Sequence, residues 1–332
     1  MRIFVCEYVT GGGLSGGSLP PGLAVEGDVM LRALVKDLAA LPDIDVVTTR
    51  DTRLPAGDLP CTVETLGPTD DVWSSWRRLT EACDALWPIA PESAGLLERL
   101  SRTAPESGRL LLGSRPEAVA LTTSKRATAA HLALHGIAAA PCGTAEAPPA
   151  SNRGWVVKPD DGAGCEETRL FETREALRRC RERSTDAARI TVQPFVPGPA
   201  LSLSLLCRDG RAVLLSCNRQ LVDCVAGRFR FHGVEVGGHD AKRAGYEAIV
   251  ARIAAAIPGL WGYVGVDLIE AEEGPLVLEV NPRLTTSYAG LALHLSCNPA
   301  ALVLDLLQDT MPSIPAATGR RPVAILPAAA YA

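Results

Sequence analysis

The chain has 332 residues, 47% of them hydrophobic and 21% charged, with a formal net charge of −5. That balance suits a globular protein with one large core or two to three smaller ones, and it offers no basic footprint for nucleic acid. No run approaches the roughly 18 apolar residues of a membrane span, and "MRIFVCEYVTGGG" is too short for a signal peptide's apolar region and cleavage site. A cytoplasmic protein with no nucleic-acid or membrane partner is expected.

From the N-terminus, "RIFVCEYV" (2–9) predicts a buried strand and "EGDVMLRALVKDLAAL" (26–41) an amphipathic helix. A strand follows at 43–50, then a helix at 72–84, a strand at 85–90, a helix at 92–104 and a strand at 109–113. Strands alternating with helices predict a parallel sheet covered on both faces, an α/β unit. Residues 114–141 have a helical texture, and the Ala-, Pro- and Gly-rich "CGTAEAPPASNRG" (142–154) is a connection. The second half has longer strands, "WVVKP", "RITVQPFV", "LSLSLLCRDGRAVLLSCNRQ" and "GYVGVDLIEAEEGPLVLEVNP", with turns at "RDG" and "EEGP". It predicts antiparallel hairpins and an α+β unit. After Asp309 only "PVAIL" suggests a strand.

The ten cysteines are scattered, with no C-x-x-C pair, and most sit in apolar contexts where a reduced thiol behaves as a small hydrophobe. Gly11, Gly13 and Gly16 satisfy G-x-G-x-x-G. A dinucleotide turn, however, requires the helix to begin at the glycines, and the next helix is predicted only near Val25 or Glu26. Asp51 is also too distant for the ribose acid, and no G-K-[ST] follows.

Four stretches of the second half carry chemistry. In "WVVKPDDGAGCEE", Lys158 ends an apolar strand ahead of Gly162, Ala163 and Gly164, an ammonium beside bare N–H groups that can wrap phosphate oxygens. In "ITVQPFVPGPALS", the backbone beside Gln193, Phe195 and Val196 can meet an adenine. In "GYVGVDLIEAEEGPLVLEVNPR", Asp267 faces Glu279 and Asn281 across a hairpin, and the last two share a sheet face. Two carboxylates and an amide oxygen make a hard oxygen site suited to Mg²⁺ held with phosphates. Arg283 can reach the same face and stabilise a transferring phosphoryl group. The structural alternatives are an exposed lysine with a turn, an edge strand, and a sheet decorated with charges. The fourth stretch holds Lys125, unremarkable alone, with His131 and His135 on one helix face; His232 and His239 bracket "GVEVGG", which reads as a ligand-side loop.

In this order and spacing the four stretches, over about residues 115–300, resemble the ATP-grasp superfamily. The resemblance implies a Rossmann-like pre-ATP-grasp domain (1–113) and then an ATP-grasp domain (114–310) with two antiparallel lobes. The small lobe is about 142–196, the hinge about 193–200 and the large lobe about 200–310, leaving a tail (311–332). It implies that Lys125 and Lys158 bind ATP phosphates under the loop 161–164, and that Gln193, Phe195 and Val196 line the adenine slot. Asp267, Glu279 and Asn281 would hold two Mg²⁺, or Mn²⁺ in their place, and Arg283 would touch the γ-phosphate and an acyl-phosphate. "NPRLTTSY" resembles the carbamoyl-phosphate-synthetase and amino-acid-ligase branch. Two departures stand out: Pro199 and Ala200 occupy the place of the relatives' ribose-binding acid, and Cys165 sits in the phosphate loop.

"FVCEYVTGGGL", "LSCNRQLV" and "FHGVEVGG" further resemble the archaeal-type tyramine–glutamate ligase family of methanofuran biosynthesis and its bacterial methylofuran counterparts. That implies small-molecule carboxylate and amine partners: L-glutamate, activated at its γ-carboxyl, and tyramine or a related amine. Gly11, Gly12 and Gly13 would then face the substrate cleft. Arg219 would grip the α-carboxylate as a bidentate fork, a surface salt bridge being the alternative. Other acid–amine pairs, a non-catalytic ATP-binding role, a nicotinamide oxidoreductase and a homodimer are left open.

Overall fold

The computed structural model describes all residues except 56, 163–166, 183–188, 316–319 and 328–332. Five strands, β1 (Arg2–Glu7), β2 (Asp45–Asp51), β3 (Thr62–Leu66), β4 (Ala85–Ile89) and β5 (Leu110–Leu111), form a parallel sheet in the order β3-β2-β1-β4-β5. Helices α1 (Pro21–Ala39), α2 (Val72–Glu81) and α3 (Leu96–Glu106) cover it. Ile3 to Glu7 are all buried, as a central strand covered on both faces requires. The alternation thus gives the expected α/β unit. Strand β3 escaped prediction because its outer residues, Thr62 to Glu64, are exposed or half-buried and form no apolar run.

Two helix starts differ from expectation. Helix α1 begins at Pro21, where the ring suits a first helical position, five residues before the predicted Glu26. Helix α3 begins at Leu96 rather than residue 92, because Ala94 (φ 53°) and Gly95 (φ 69°) are left-handed and break any helix there.

Helices α4 (Pro116–Thr123) and α5 (Lys125–Leu134) lead into the second sheet. Its small lobe comprises β6 (Trp155–Pro159), β7 (Arg169–Phe171), α6 (Arg174–Glu182) and β8 (Ile190–Pro194). The large lobe comprises β9 (Ala200–Arg208), β10 (Arg211–Val225), β11 (Arg228–Val236), α7 (Ala244–Ala256), β12 (Gly262–Ala271), β13 (Gly274–Asn281), α8 (Tyr288–Leu295) and α9 (Pro299–Asp305). The order is β13-β12-β9-β10-β11-β7-β6-β8, with β14 (Val323–Ile325), inside the predicted "PVAIL", paired to β11. The predicted "RDG" turn is real: Asp209 and Gly210 both have positive φ, the geometry of a tight hairpin.

The two units share a core. Ile3, Leu31 and Leu34 of the parallel unit are buried in one cluster with Tyr288, Leu291 and Leu295 of α8. The small lobe, by contrast, has a separate core of only Trp155, Val157, Leu177 and Val192, and β7 meets β11 at a single register pair. Among the described residues no single helix is long and apolar enough to cross a membrane, and all nine cysteines are free thiols.

Candidate active site

A cleft of about 250 Å³ lies between the parallel unit and the second sheet. Lys158 lines it, and Lys125 is held next to it at a seam built by Asp160. This acid accepts hydrogen bonds from Ser124 Oγ (2.5 Å) and Arg126 N–H (3.0 Å) at the start of α5, where a carboxylate satisfies orphan helix donors. The seam brings Lys125, the first residue of α5, to Lys158 near the end of β6. The Lys125 ammonium is buried; it donates to Gly162 O (2.6 Å) and lies 3.1 Å from Glu279 Oε2. Burial and the neighbouring Lys125 charge pull the Lys158 pKa below its ordinary value, against Glu279 and Asp267.

The hairpin of β12 and β13 supplies the acids. Asp267 pairs directly with Glu279, and Gly265 with Asn281, so period-two alternation places Glu279 and Asn281 on one face with Asp267. Amides steady Asp267: Gln220 Nε2 donates to Oδ1 (2.9 Å) and Asn281 Nδ2 to Oδ2 (3.2 Å). Burial and the charge of Glu279, which faces it across the hairpin, push Asp267 well above the carboxylate range. Burial opposes ionisation of Glu279 too, but the ammonium groups of Lys125 and Lys158 outweigh it and hold Glu279 at about 2. Two facing acids, one of them held ionised by lysines, mark a site short of positive charge. Asp267, Glu279 and Asn281 are therefore a donor set that fits a hard divalent cation. The set has two acids only; among the described residues no cluster of three or more His, Cys, Asp or Glu side chains could hold a metal.

Arg283, just past β13, donates from Nη2 to Glu92 Oε2 (2.9 Å) across the boundary between the units. Burial works against its charge, but Glu92 beside it raises the guanidinium pKa further. Under the acids lies a hydroxyl floor, in which Asn218 bonds Ser202 and Ser204, and Tyr263 bonds Ser204 and Thr285.

Gln193, Phe195 and Val196 line one wall with the apolar Val156, Ile269 and Leu278. Phe195 N–H is already bonded to Gly154 O (2.9 Å), which removes one of the expected backbone partners. The hinge needs Gly198: at φ 153° a Cβ there would lie 2.3 Å from Glu270 O. The opposite wall comes from the parallel unit and includes Leu23, Glu26, Met30, Ile89 and Pro91.

The structure thus brings together Lys125, Lys158, Gly162, Gln193, Phe195, Val196, Asp267, Glu279, Asn281 and Arg283. Ala163, Gly164 and Cys165 lie outside the described residues. Three expectations need correction. Gly11, Gly12 and Gly13 do not line the cleft: they form a π-type turn (Val9–Gly13) packed on Thr49, Leu66 and Tyr8, so close that a Cβ at Gly11 would lie 2.8 Å from Thr49 Oγ1. Arg219 is exposed on the other face of β10, because alternation sends its neighbour Gln220 inward. The "GVEVGG" segment is largely strand β11 rather than a loop; its Val234 does line the cleft, but His232 and His239 pair with Asp223 and Glu270 instead. His131, its ring tilted against that of His135, bonds Ala256 O (2.8 Å) and serves packing, as a helix-face histidine would.

Sequence reasoning missed Asp160, Gln220 and Glu92. The alternation of β10 pointed to Gln220 once Asn218 was taken as inward. Asp160 and Glu92 had no local signal, since their partners are 34 and 191 positions away.

Comparison with known proteins agrees with this fold. Residues 122–287 match the ATP-grasp domain family and residues 44–119 the pre ATP-grasp 3 domain. A tyramine–L-glutamate ligase of Methanocaldococcus jannaschii is 30% identical over 214 residues, which cover 64% of this chain and 59% of that protein, under two thirds of the relative's length. Among solved structures, an ATP-grasp superfamily protein of Archaeoglobus fulgidus superposes with a TM-score of 0.73 at 24% identity, covering 98% of this chain and 92% of that one. The L-amino acid ligase of Bacillus licheniformis gives 0.68 at 17% identity, covering 97% and 77%. These two likenesses concern the fold.

Proposed function

This chain belongs to the ATP-grasp family, and from that premise we propose that it is an ATP-dependent carboxylate–amine ligase, joining the γ-carboxyl of L-glutamate to tyramine or a related amine. The observation that carries the reading is the convergence of Lys158, Asp267, Glu279 and Arg283 on one cleft, with the buried Lys125 paired to Glu279 at its edge. The likeness to the M. jannaschii ligase supports the substrates. So does the wall of Leu23, Met30, Ile89 and Pro91 with Glu26 among them, an apolar surface bearing a carboxylate, which suits an amine with an apolar body.

In this mechanism the adenine lies against Gln193 and Val196, and the lysines hold the phosphates. Asp267, Glu279 and Asn281 would hold one or two Mg²⁺, which supply positive charge to the phosphoryl oxygens when bound. The substrate carboxylate oxygen attacks the γ-phosphorus and ADP leaves. Arg283 stabilises charge on the transferring group, with the protein contributing position and field rather than covalent chemistry. The amine nitrogen then attacks the acyl carbon, phosphate departs with the carboxylate oxygen, and the nitrogen's extra proton passes to solvent.

The test is ADP release from MgATP and L-glutamate, with and without tyramine, with mass analysis of the product. ADP together with a glutamyl-tyramine mass is the expected outcome. ADP formed only with another acid or amine would leave the ligase and discard these substrates. ATP binding with no ADP for any pair would overturn the enzyme reading.

A further inference from the structure

The contact between Glu92 and Arg283 is incomplete. Both side chains are buried, 6% and 11% exposed, yet a single bond joins them, Nη2 to Oε2 at 2.9 Å. The remaining groups that could complete a fork, Arg283 Nε and Glu92 Oε1, are buried without partners. Nη1 donates to Leu284 O (3.0 Å), so Glu92 is the one acid bonded to the guanidinium among the described residues; a buried donor left unpaired is costly, and Nε is left able to engage another anion. The same short loop has a second hold on the cleft. Ser93 Oγ donates to Asp161 O (2.9 Å) and Ala94 N–H to Asp161 Oδ2 (3.1 Å), directly after the Lys158 strand. Ala94, a non-glycine at φ 53°, and Gly95 turn the chain so that both contacts are made from consecutive residues.

We propose that Glu92 is a positioning residue for Arg283, and that the loop 92–95 of the parallel unit keeps the arginine and the segment after β6 in one register. The loop touches Arg283 on the large lobe and Asp161, two residues past β6, on the small lobe. The shared core of the parallel unit and α8 holds the loop fixed relative to Arg283, while the small lobe has only its own four-residue core. The parallel unit thereby acts on the phosphoryl-transfer centre through Arg283 without touching the nucleotide. This inference rests on the ligase reading for its kinetic effect, but not for its structural one.

The experiment uses the full chain and two variants, Glu92→Gln, which keeps shape and loses charge, and Glu92→Asp, which keeps charge and shortens the reach. The first readout needs no substrate: the ¹H–¹⁵N signal of Arg283 Nε–H, identified by its loss in Arg283→Lys. It should be resolved in the parent protein and change position in both variants, as the guanidinium leaves its place beside Glu92. The second is kinetics. Misplacing a reactive group by about 1 Å costs on the order of a hundredfold, so kcat for ADP formation should fall about that much, with the KM for ATP within about threefold. In an Arg283→Lys background, Glu92→Gln should change kcat less than about twofold, since a residue acting through another is not additive with it.

An unchanged Arg283 signal with parental kcat in both variants would overturn the proposal, as would losses that multiply in the double variant. If the parent protein forms no ADP with any acid–amine pair, the ligase reading fails and the resonance alone decides the role of Glu92. If Glu92→Gln does not fold, the Asp variant carries both measurements.

Discussion

Strand β1 of the parallel sheet and strand β12 of the antiparallel sheet each carry a buried acid to the same cleft. Glu7 is used by its own chain: it accepts from Val9 N–H (3.2 Å), Thr10 N–H (2.5 Å) and Thr10 Oγ1 (2.6 Å), which organise the glycine turn. Asp267 has the amides of Gln220 and Asn281 and the carboxyl of Glu279, itself against Lys125. The first arrangement closes on itself, as a structural acid does. The second is a row of groups that satisfy one another only until a cation and an anion arrive. A buried carboxylate is informative through its partners: backbone donors mark architecture, while acids and lysines mark a ligand site.

The contrast breaks most visibly at the lysines. Lys158→Ala should lower ADP formation about a thousandfold, in line with removal of a charge-stabilising group, and a variant with parental turnover would end the phosphate assignment. Glu279→Gln should raise the Mg²⁺ concentration for half-maximal rate by about tenfold to a hundredfold. An identical Mg²⁺ titration in that variant removes Glu279 from the cation site.

Asp240 sharpens the comparison, as a second acid held by its surroundings. Burial works against its ionisation, but hydrogen bonds from His294 and Cys217 N–H, together with Arg243, overcome this and lower it to about 2. Since an unfolded aspartate titrates near 3.9, this acid contributes its full stabilisation above about pH 4 and loses it as pH falls toward 2. Asp240→Asn should therefore lower unfolding free energy by about 2 kcal/mol at pH 7 and by much less near pH 2. Denaturant titration at both values checks it; an equal loss at both would refute the ionic account.

The smallest effect is expected from the glycine turn. Gly11→Ala forces a Cβ against Thr49, at an overpacking cost of about 1–3 kcal/mol. The unfolding midpoint should drop while kcat/KM stays within about twofold. A selective rise in KM for either substrate would restore that turn to the cleft.

What could be read in advance divides along the same line. Lys158, Asp267, Glu279, Asn281 and Arg283 were legible because strand alternation and a hairpin turn fix which side chains share a face over short separations. Arg219 was misread because parity within β10 had not been tied to an inward residue, and Gln220 took the inward place. The glycine run carried a familiar spacing, but its backbone is needed for close packing on Thr49 and Tyr8 rather than for a ligand. Glu92 was hidden for another reason. It looked like the start of helix α3, and only the left-handed Ala94 and Gly95 turn it toward an arginine 191 positions away.

The most direct measurement of the central claim follows oxygen. With L-glutamate labelled by ¹⁸O in the γ-carboxyl, MgATP and tyramine, the account predicts that each phosphate released carries one ¹⁸O, because the carboxylate oxygen leaves with it from the acyl-phosphate. Unlabelled phosphate formed alongside the amide product would contradict acyl-phosphate chemistry in this cleft.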